Sequence, residues 1–173
     1  MKKLSIALSV IFLLMLGTDA FSQKDKSKRP SPPAQASADI DGVSVTIDYS
    51  QPSLKNREFG TKKFHPYGKI WRNGANEATW IEVSDDVKIN GENLPKGKYS
   101  FFVIPNENEW TLVFNSTWEQ WGAYDYDDSK DVLRVNAKST KSTPTEKYTI
   151  ELADNGEGSL NWADFSVSFL VSK

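Results

Sequence analysis

The chain has 173 residues, of which 25% are charged and 38% are hydrophobic, and its formal net charge at pH 7 is −2. This length suits a single domain, and the lack of cysteine excludes disulfide bonds and a lipid anchor attached to cysteine. Beyond Ser37 the chain carries 15 Lys and Arg against 21 Asp and Glu, a net charge of about −6. That sign argues against nucleic acid as a partner.

Residues 1–22 have the pattern of a cleaved signal peptide. Lys2 and Lys3 precede an apolar run over residues 4–16, and the small residues Ala20 and Ser22 fit a cleavage site. An apolar run this short does not span a bilayer, which needs about 20 residues. We therefore expect a periplasmic or secreted protein that is not a lipoprotein and has no transmembrane segment after cleavage. The alternative is a permanent N-terminal membrane anchor.

Residues 23–37 form a basic leader rich in Lys, Ser and Pro, and the sequence predicts that it is flexible. Few apolar residues are available there to offset the entropy lost on ordering. The predicted domain then covers residues 38–173. The basic leader either contacts an anionic lipid or polymer or serves as a solvated spacer.

From residue 38 onward, hydrophobic residues recur with the two-residue period of half-buried strands. The predicted strands cover residues 43–49, 80–83, 87–89, 98–104, 110–115, 132–137, 147–152, 159–162 and 165–171. Asn90-Gly91 predicts a tight hairpin, and residues 154–158 predict another turn. About eight to nine short strands without an amphipathic helix indicate an all-β fold, an antiparallel β-sandwich or jelly roll, with an up-and-down barrel as the alternative.

Two long irregular segments interrupt these strands, at residues 51–73 and 116–130. Loops longer than about 12–15 residues are uncommon in compact domains and tend to be functional. The first of them leads into the densest group of polar side chains in the chain, at residues 71–79. The candidate ligand-binding residues are Arg72, Asn76 and Glu77, with Arg57 and Tyr49 as possible neighbours.

This polar group has a functional and a structural interpretation. In the first, Arg72 binds a carboxylate or phosphate through its planar fork of donors, Asn76 orients the ligand, and Glu77 accepts hydrogen bonds or acts as a general base. In the second, Arg72 pairs with Glu77 or with loop carbonyls, Asn76 caps a turn, and Trp71 fills the core, because buried polar groups must be hydrogen-bonded.

The segment 116–130 supplies a second candidate surface of aromatic and acidic residues. Its members are Trp118, Trp121, Tyr124, Tyr126 and Asp127, with Glu119, Asp125, Asp128 and Asp131 interleaved among them. Aromatic faces beside carboxylates fit a sugar platform, and the carboxylates alone would suit Ca²⁺. The spacing lacks the glycine and the final glutamate of an EF-hand loop. The alternatives are aromatic residues that close one end of the sandwich and a solvated acidic loop.

Other site chemistries find little support. His65 is the only histidine, so a His-rich zinc site is excluded. No Gly-x-Ser-x-Gly elbow is present to hold a serine nucleophile, and no glycine-rich phosphate loop occurs. We expect no metal and no cofactor, and assign no catalytic residue, with Glu77 the candidate if the protein is an enzyme.

Several motifs together carry a resemblance to a known family. They are Tyr49-Ser50-Gln51-Pro52, Pro66-Tyr67-Gly68, Trp71-Arg72-Asn73-Gly74-Ala75-Asn76-Glu77, Leu94-Pro95-x-Gly97-x-Tyr99 and Trp121-Gly122-x-Tyr124. With its Trp-Arg-x-Gly-Ala-Asn-Glu signature, the chain resembles an exported bacterial family of domains of unknown function (DUF2911-like). The resemblance covers nearly all of residues 38–173. It implies an exported, β-rich domain and carries over no activity.

The sequence thus favours a non-catalytic binding or envelope-associated module that binds an unknown small molecule or an envelope glycan. One alternative is a carbohydrate-active hydrolase that uses Glu77 with a second carboxylate, such as Asp125 or Asp127. The other is a structural or interaction protein that assembles through a sheet edge or the aromatic loop.

Overall fold

A computed structural model describes residues 25–173, so the predicted signal peptide lies outside the described residues. The strands are β1 (Pro33–Ile40), β2 (Val43–Ser50), β3 (Trp80–Val83), β4 (Val87–Ile89), β5 (Glu92–Leu94), β6 (Gly97–Ile104), β7 (Glu109–Asn115), β8 (Asp131–Leu152) and β9 (Glu157–Ser172). Two short 3-10 helices cover Lys26–Lys28 and Asp128–Lys130. Among the described residues, no helix has both the length and the hydropathy needed to cross a membrane.

The strands pair antiparallel in the order β1-β2-β3-β6-β7-β8-β9-β4-β5, which confirms the predicted all-β fold of eight to nine strands. Hydrogen bonds join all nine into one open sheet. The sheet bends so that distant strands share one core. Tyr49 of β2 meets Tyr148 of β8 edge-on with ring centroids 5.9 Å apart, and Phe101 of β6 meets Phe169 of β9 at 6.1 Å.

The two longest strands make this bend possible. β8 pairs with β7 through residues such as Ala137, and then with β9 from Ser139 onward, with register shifts between them. β9 likewise continues through Ala163, whose φ is +51°. The four strands predicted in residues 132–171 are therefore two continuous strands, because a bulge bends a strand without ending it.

Strand β1 begins within the predicted leader. Pro33 pairs with Ser50 and Ile40 with Val43 across the turn at Asp41-Gly42, so residues 33–37 are part of the sheet. Alanines alternate with polar residues along β1 and face the core. Apolar residues therefore recur at every second position of β1. Because most of them are alanine, a weak strand former, this alternation did not predict a strand.

The loop between β2 and β3 covers the core with aromatic side chains. Trp71 stacks on Trp162 with ring centroids 5.3 Å apart, and Phe59 stacks on Trp110 at 5.4 Å. His65 packs among these rings, 4.6 Å from the ring of Trp71. Burial lowers the pKa of His65 to about 4, and the positive charges of Arg72 and Arg57 act in the same direction. His65 is therefore a neutral, packed residue at pH 7.

We expect the free energy of unfolding to fall as the pH is lowered from 6.5 towards about 4, the ordinary and folded pKa values of His65. In that window the unfolded chain binds a proton that the folded chain does not, so the contribution is complete above pH 6.5 and shrinks by at most about 1.4 kcal/mol per pH unit below it. Urea unfolding at pH 7, 6 and 5 measures the slope. In His65→Asn, which tolerates the positive φ of +49°, the slope should be smaller by the contribution of His65. An identical slope in the variant would refute the assignment.

Candidate functional site

The loop of residues 71–79 is fixed by its backbone beside strand β6. The Trp71 N–H donates to the carbonyl of Val103 at 2.8 Å, and the Val103 N–H donates to Trp71 at 3.0 Å. The Thr79 N–H donates to the Arg72 carbonyl at 3.1 Å, and the Thr79 hydroxyl donates to the Asn73 carbonyl at 2.7 Å. These bonds hold a polar sequence in one conformation and separate its side chains into an inner and an outer set.

The inner side of the loop is structural. Trp71 is buried in the core, and its Nε1 donates to the Gly74 carbonyl at 3.1 Å. Asn73 is fully buried, and its Oδ1 accepts a hydrogen bond from the hydroxyl of Tyr148. A Cβ on Gly74 would lie 2.8 Å from Oγ1 of Thr79, so the bend needs glycine for space.

The outer side contacts the N-terminal segment. Nη1 of Arg29 donates to both carboxylate oxygens of Glu77, at 2.7 and 3.0 Å, and Nζ of Lys26 lies 3.3 Å from Oε1. The Asn76 side chain donates to the carbonyl of Ser31 at 3.0 Å. Burial favours a higher pKa for Glu77, but these cations outweigh it, and the net pKa is lowered.

Arg72 is not the partner of Glu77. Its Nε is buried with no hydrogen-bond partner among the described residues. A Cβ on Gly122 would lie 3.3 Å from Nη1 of Arg72, which places this guanidinium beneath the second irregular segment. The structure therefore separates Arg72 from the carboxylate that its sequence spacing suggested as a partner.

Arg57 and Tyr49 also have other contacts. Arg57 donates to the carbonyls of Leu54 and Ser53, at 2.8 and 2.7 Å, and lies over the ring of Phe64. The Tyr49 hydroxyl accepts a hydrogen bond from the Ile150 N–H at 3.0 Å, and burial raises the pKa of Tyr49. Arg57 thus stabilises its own loop, and the Tyr49 hydroxyl joins β2 to β8.

The loop of residues 71–79 meets the second irregular segment at Glu77. Glu77 pairs with Trp121 as an isolated antiparallel bridge. The Ala78 N–H donates to the Gln120 carbonyl at 3.0 Å, and the Gly122 N–H donates to the Asn76 carbonyl at 3.1 Å. The structure therefore brings Glu77 of the first candidate cluster directly beside the aromatic residues of the second.

A groove of about 380 Å³ lies at this junction, and we name it the tryptophan groove. It is lined by Lys26, Glu77, Ala78, Trp80, Trp118, Glu119, Gln120 and Trp121. A smaller cavity of about 160 Å³ shares four of these residues, Lys26, Glu77, Ala78 and Trp80, and adds Pro33, Asp48, Tyr49 and Ser50. Aromatic walls with a few polar groups are the usual composition of a small-molecule site.

The three tryptophans of the groove differ in how firmly neighbouring residues fix their rings. Nζ of Lys98 lies 3.5 Å from the ring centroid of Trp80 and 4.3 Å from that of Trp118, so one cation braces both rings. Trp121 has no such contact among the described residues and is 53% exposed. An exposed, large aromatic ring on the rim of a groove is a surface on which a ligand can stack.

The remaining residues of the second candidate surface do not line the groove. Tyr126 packs on Phe102, and its hydroxyl donates to Asp131 at 2.6 Å; burial, followed by this carboxylate, raises the pKa of Tyr126 to about 12. Asp127 accepts a hydrogen bond from the Ser129 N–H and caps the N-terminus of the 3-10 helix. Tyr124 is 80% exposed. Residues 25–173 hold no cluster of three or more His, Cys, Asp or Glu able to bind a metal ion.

Sequence reasoning missed seven residues of these cavities, and two of the seven are Trp80 and Asp48. These two are cross-strand partners in β3 and β2. Both residues fit the alternating pattern that predicts a strand. Nothing in the neighbouring sequence indicated that their side chains line a cavity. The one available signal was that Trp80 follows directly on the polar loop.

The family model described as "Protein of unknown function (DUF2911)" matches residues 31–171. The chain belongs to this family. No curated protein and no solved structure matches it. The matched residues include every residue that lines the groove except Lys26. Lys26 and Arg29 both precede the matched region.

Proposed function

We propose that this DUF2911 protein is an exported, non-catalytic binding module that holds an envelope glycan in the tryptophan groove. The observation that carries the proposal is that three tryptophans line one open groove together with two carboxylates and an amide. Sugar rings present apolar C–H faces that stack on aromatic rings, and hydroxyls that hydrogen-bond to carboxylates and amides. Export is supported by the signal-peptide pattern of residues 1–22.

The residues on the different walls of the groove would make different contacts with a glycan. Trp121, on the open rim, provides a ring for stacking, and Trp118 and Trp80 form a second wall that Lys98 holds in place. Glu119 and Gln120 lie between Trp118 and Trp121 in the sequence and supply polar groups to the same groove. Ala78 adds only a methyl group to the lining, which leaves room for a ligand.

A binding screen tests this proposal directly. The mature wild-type protein is titrated with chitotetraose, cellotetraose and mannotetraose, with intrinsic tryptophan fluorescence and calorimetry as independent readouts. We expect at least one tetramer to bind saturably and to change the fluorescence, because the groove contains three of the six tryptophans. If all three leave both readouts unchanged at millimolar concentration, the groove is not a site for oligosaccharides of this type.

A second candidate function is glycoside hydrolysis, and one observation favours it. Asp48 and Glu77 line the same small cavity. Burial raises the pKa of Asp48, with a further contribution from the Glu77 charge, whereas the pKa of Glu77 is lowered. Two carboxyls whose pKa values are pushed apart resemble an acid and a base. Asp125 and Asp127, the partners suggested by sequence, line neither cavity.

Product analysis separates the two functions. Each tetramer that binds is incubated with the wild type and with Asp48→Asn, and shorter sugars are quantified by chromatography. A binding module leaves the tetramer intact in both samples. Cleavage by the wild type that is lost in Asp48→Asn would establish the hydrolase and overturn the non-catalytic proposal.

A further inference from the structure

We propose that residues 25–31 are a displaceable latch at one wall of the tryptophan groove, where Arg29 and Lys26 occupy the Glu77 carboxylate. We name this segment the N-terminal latch. The inference rests on the proposed function, because the latch controls access only if the groove binds a ligand. The latch itself is a property of the protein alone and is testable without any ligand.

The latch is attached at both of its ends. At the end nearer the sheet, Asn76 donates to the carbonyl of Ser31 at 3.0 Å, and the Gln51 N–H donates to the carbonyl of Pro32 at 2.9 Å. At the other end, Arg29 binds both oxygens of Glu77, and the side chain of Lys26 lines both the groove and the smaller cavity. The segment therefore reaches the ligand site itself.

The contacts at the far end are of a kind that opens easily. No residue of the 3-10 helix Lys26–Lys28 is buried. The side chains of Arg29 and Glu77 are 26% and 39% exposed, and ion pairs this accessible to water are weak and are screened by salt. No apolar side chain secures the latch between Asp25 and Arg29. Opening consequently disrupts ion pairs but leaves the core intact.

The residues that hold the latch and the latch itself belong to different parts of the chain. The family match begins at residue 31, so Asn76 and Glu77 lie inside the shared domain while Lys26 and Arg29 lie before it. Glu77 is thus a carboxylate of the domain that this chain neutralises with an appended segment. When the latch opens, Lys26 leaves the groove and the Glu77 carboxylate becomes an acceptor for ligand hydroxyls.

A spin label measures the latch directly. The chain contains no cysteine, so Ser27→Cys gives a unique attachment site, and residue 27 is exposed. We expect a nitroxide there to be restricted in the otherwise unchanged mature protein. It should become mobile in Arg29→Ala, in Glu77→Gln and in about 1 M NaCl, where the Debye length falls to about 3 Å.

Lys28→Ala is the matched control. It removes the same charge from the same segment, but the Lys28 side chain is 83% exposed, and within residues 25–173 its one ion pair is with Asp25, at 3.7 Å. The label should therefore stay restricted in this variant. A label that is equally mobile in all variants, or that responds to Lys28→Ala as strongly as to Arg29→Ala, would overturn the latch.

Binding of the tetrasaccharide panel then tests the regulation. Relief from a weak, partly exposed ion-pair network should tighten binding in Arg29→Ala by about two- to fivefold, with no change in Lys28→Ala. A label that responds while no sugar binds any variant leaves the latch standing and rejects the glycan proposal. A sugar that binds while the label does not respond rejects the latch alone. Equal affinity in Arg29→Ala and wild type, with a responsive label, rejects control of access.

Discussion

Asn73→Ala lowers the free energy of unfolding by about 3 kcal/mol, because it leaves the fully buried Tyr148 hydroxyl without a partner (about 1–3 kcal/mol) and puts Ala in a left-handed conformation (about 1–2 kcal/mol). Asn73 itself is fully buried and has a φ of +57°. For a domain of this size, the thermal midpoint should fall by roughly 6–12 °C. Thermal and urea unfolding at pH 7 measure both quantities.

A double-mutant cycle separates these two contributions. Tyr148→Phe retains the ring but leaves Oδ1 of Asn73 without its donor, and the double variant leaves neither group unpaired. We therefore expect the double variant to be destabilised by less than the sum of the single variants, by about 1 kcal/mol or more. Asn73→Gly removes the backbone strain but not the loss of the hydrogen bond. Strictly additive effects would show that the Asn73–Tyr148 contact does not stabilise the fold.

The inner and outer sides of residues 71–79 explain why the sequence supported two interpretations of this loop. Trp71 fills the core, as the structural interpretation expected, and Asn73, which neither interpretation named, satisfies a buried hydroxyl. Asn76 and Glu77 are half-buried and face the leader and the groove. Asn73 and Asn76 are three positions apart, and the backbone bends between them at Gly74. Residue types alone could not show on which side each residue lies.

The strands were largely predictable, and the exceptions have a common cause. Large apolar residues, which alternate with polar ones in β2 and follow one another in β6 and β7, define β2, β3, β6 and β7 within one residue of their observed bounds. β1 relies on alanines, and β5 has three residues, so the hydrophobic signal of each is weak. The continuity of β8 and β9 depends on bulges, which change the register without leaving a composition signal.

The site was less predictable because it depends on contacts between distant residues. Glu77 meets Trp121 through an isolated bridge, and Arg29 reaches Glu77 from before the first strand. Arg57, in contrast, binds carbonyls three and four residues away. That interaction is local and leaves the guanidinium engaged within its own loop. Polar residues that are close in sequence are therefore weaker evidence for a shared site than their density suggests.

Trp121→Ala should weaken tetrasaccharide binding by about 30-fold or more, the loss of about 2 kcal/mol typical of a tryptophan at the centre of a binding surface. Its effect on the thermal midpoint should be small, within about 3 °C, because the side chain is 53% exposed and the core does not depend on it. Calorimetric titration and thermal unfolding of the same preparation measure the two effects together.

Tyr124→Ala is the control that gives this experiment its meaning. Tyr124 lies three residues away, is 80% exposed and does not line the groove. If these aromatic residues only close one end of the fold, Trp121→Ala should lower stability and leave binding no more affected than Tyr124→Ala does. If the groove is the binding site, Trp121→Ala weakens binding and Tyr124→Ala does not, while both variants unfold within about 3 °C of the wild type. A ligand site requires this separation of affinity from stability, and a packing role excludes it.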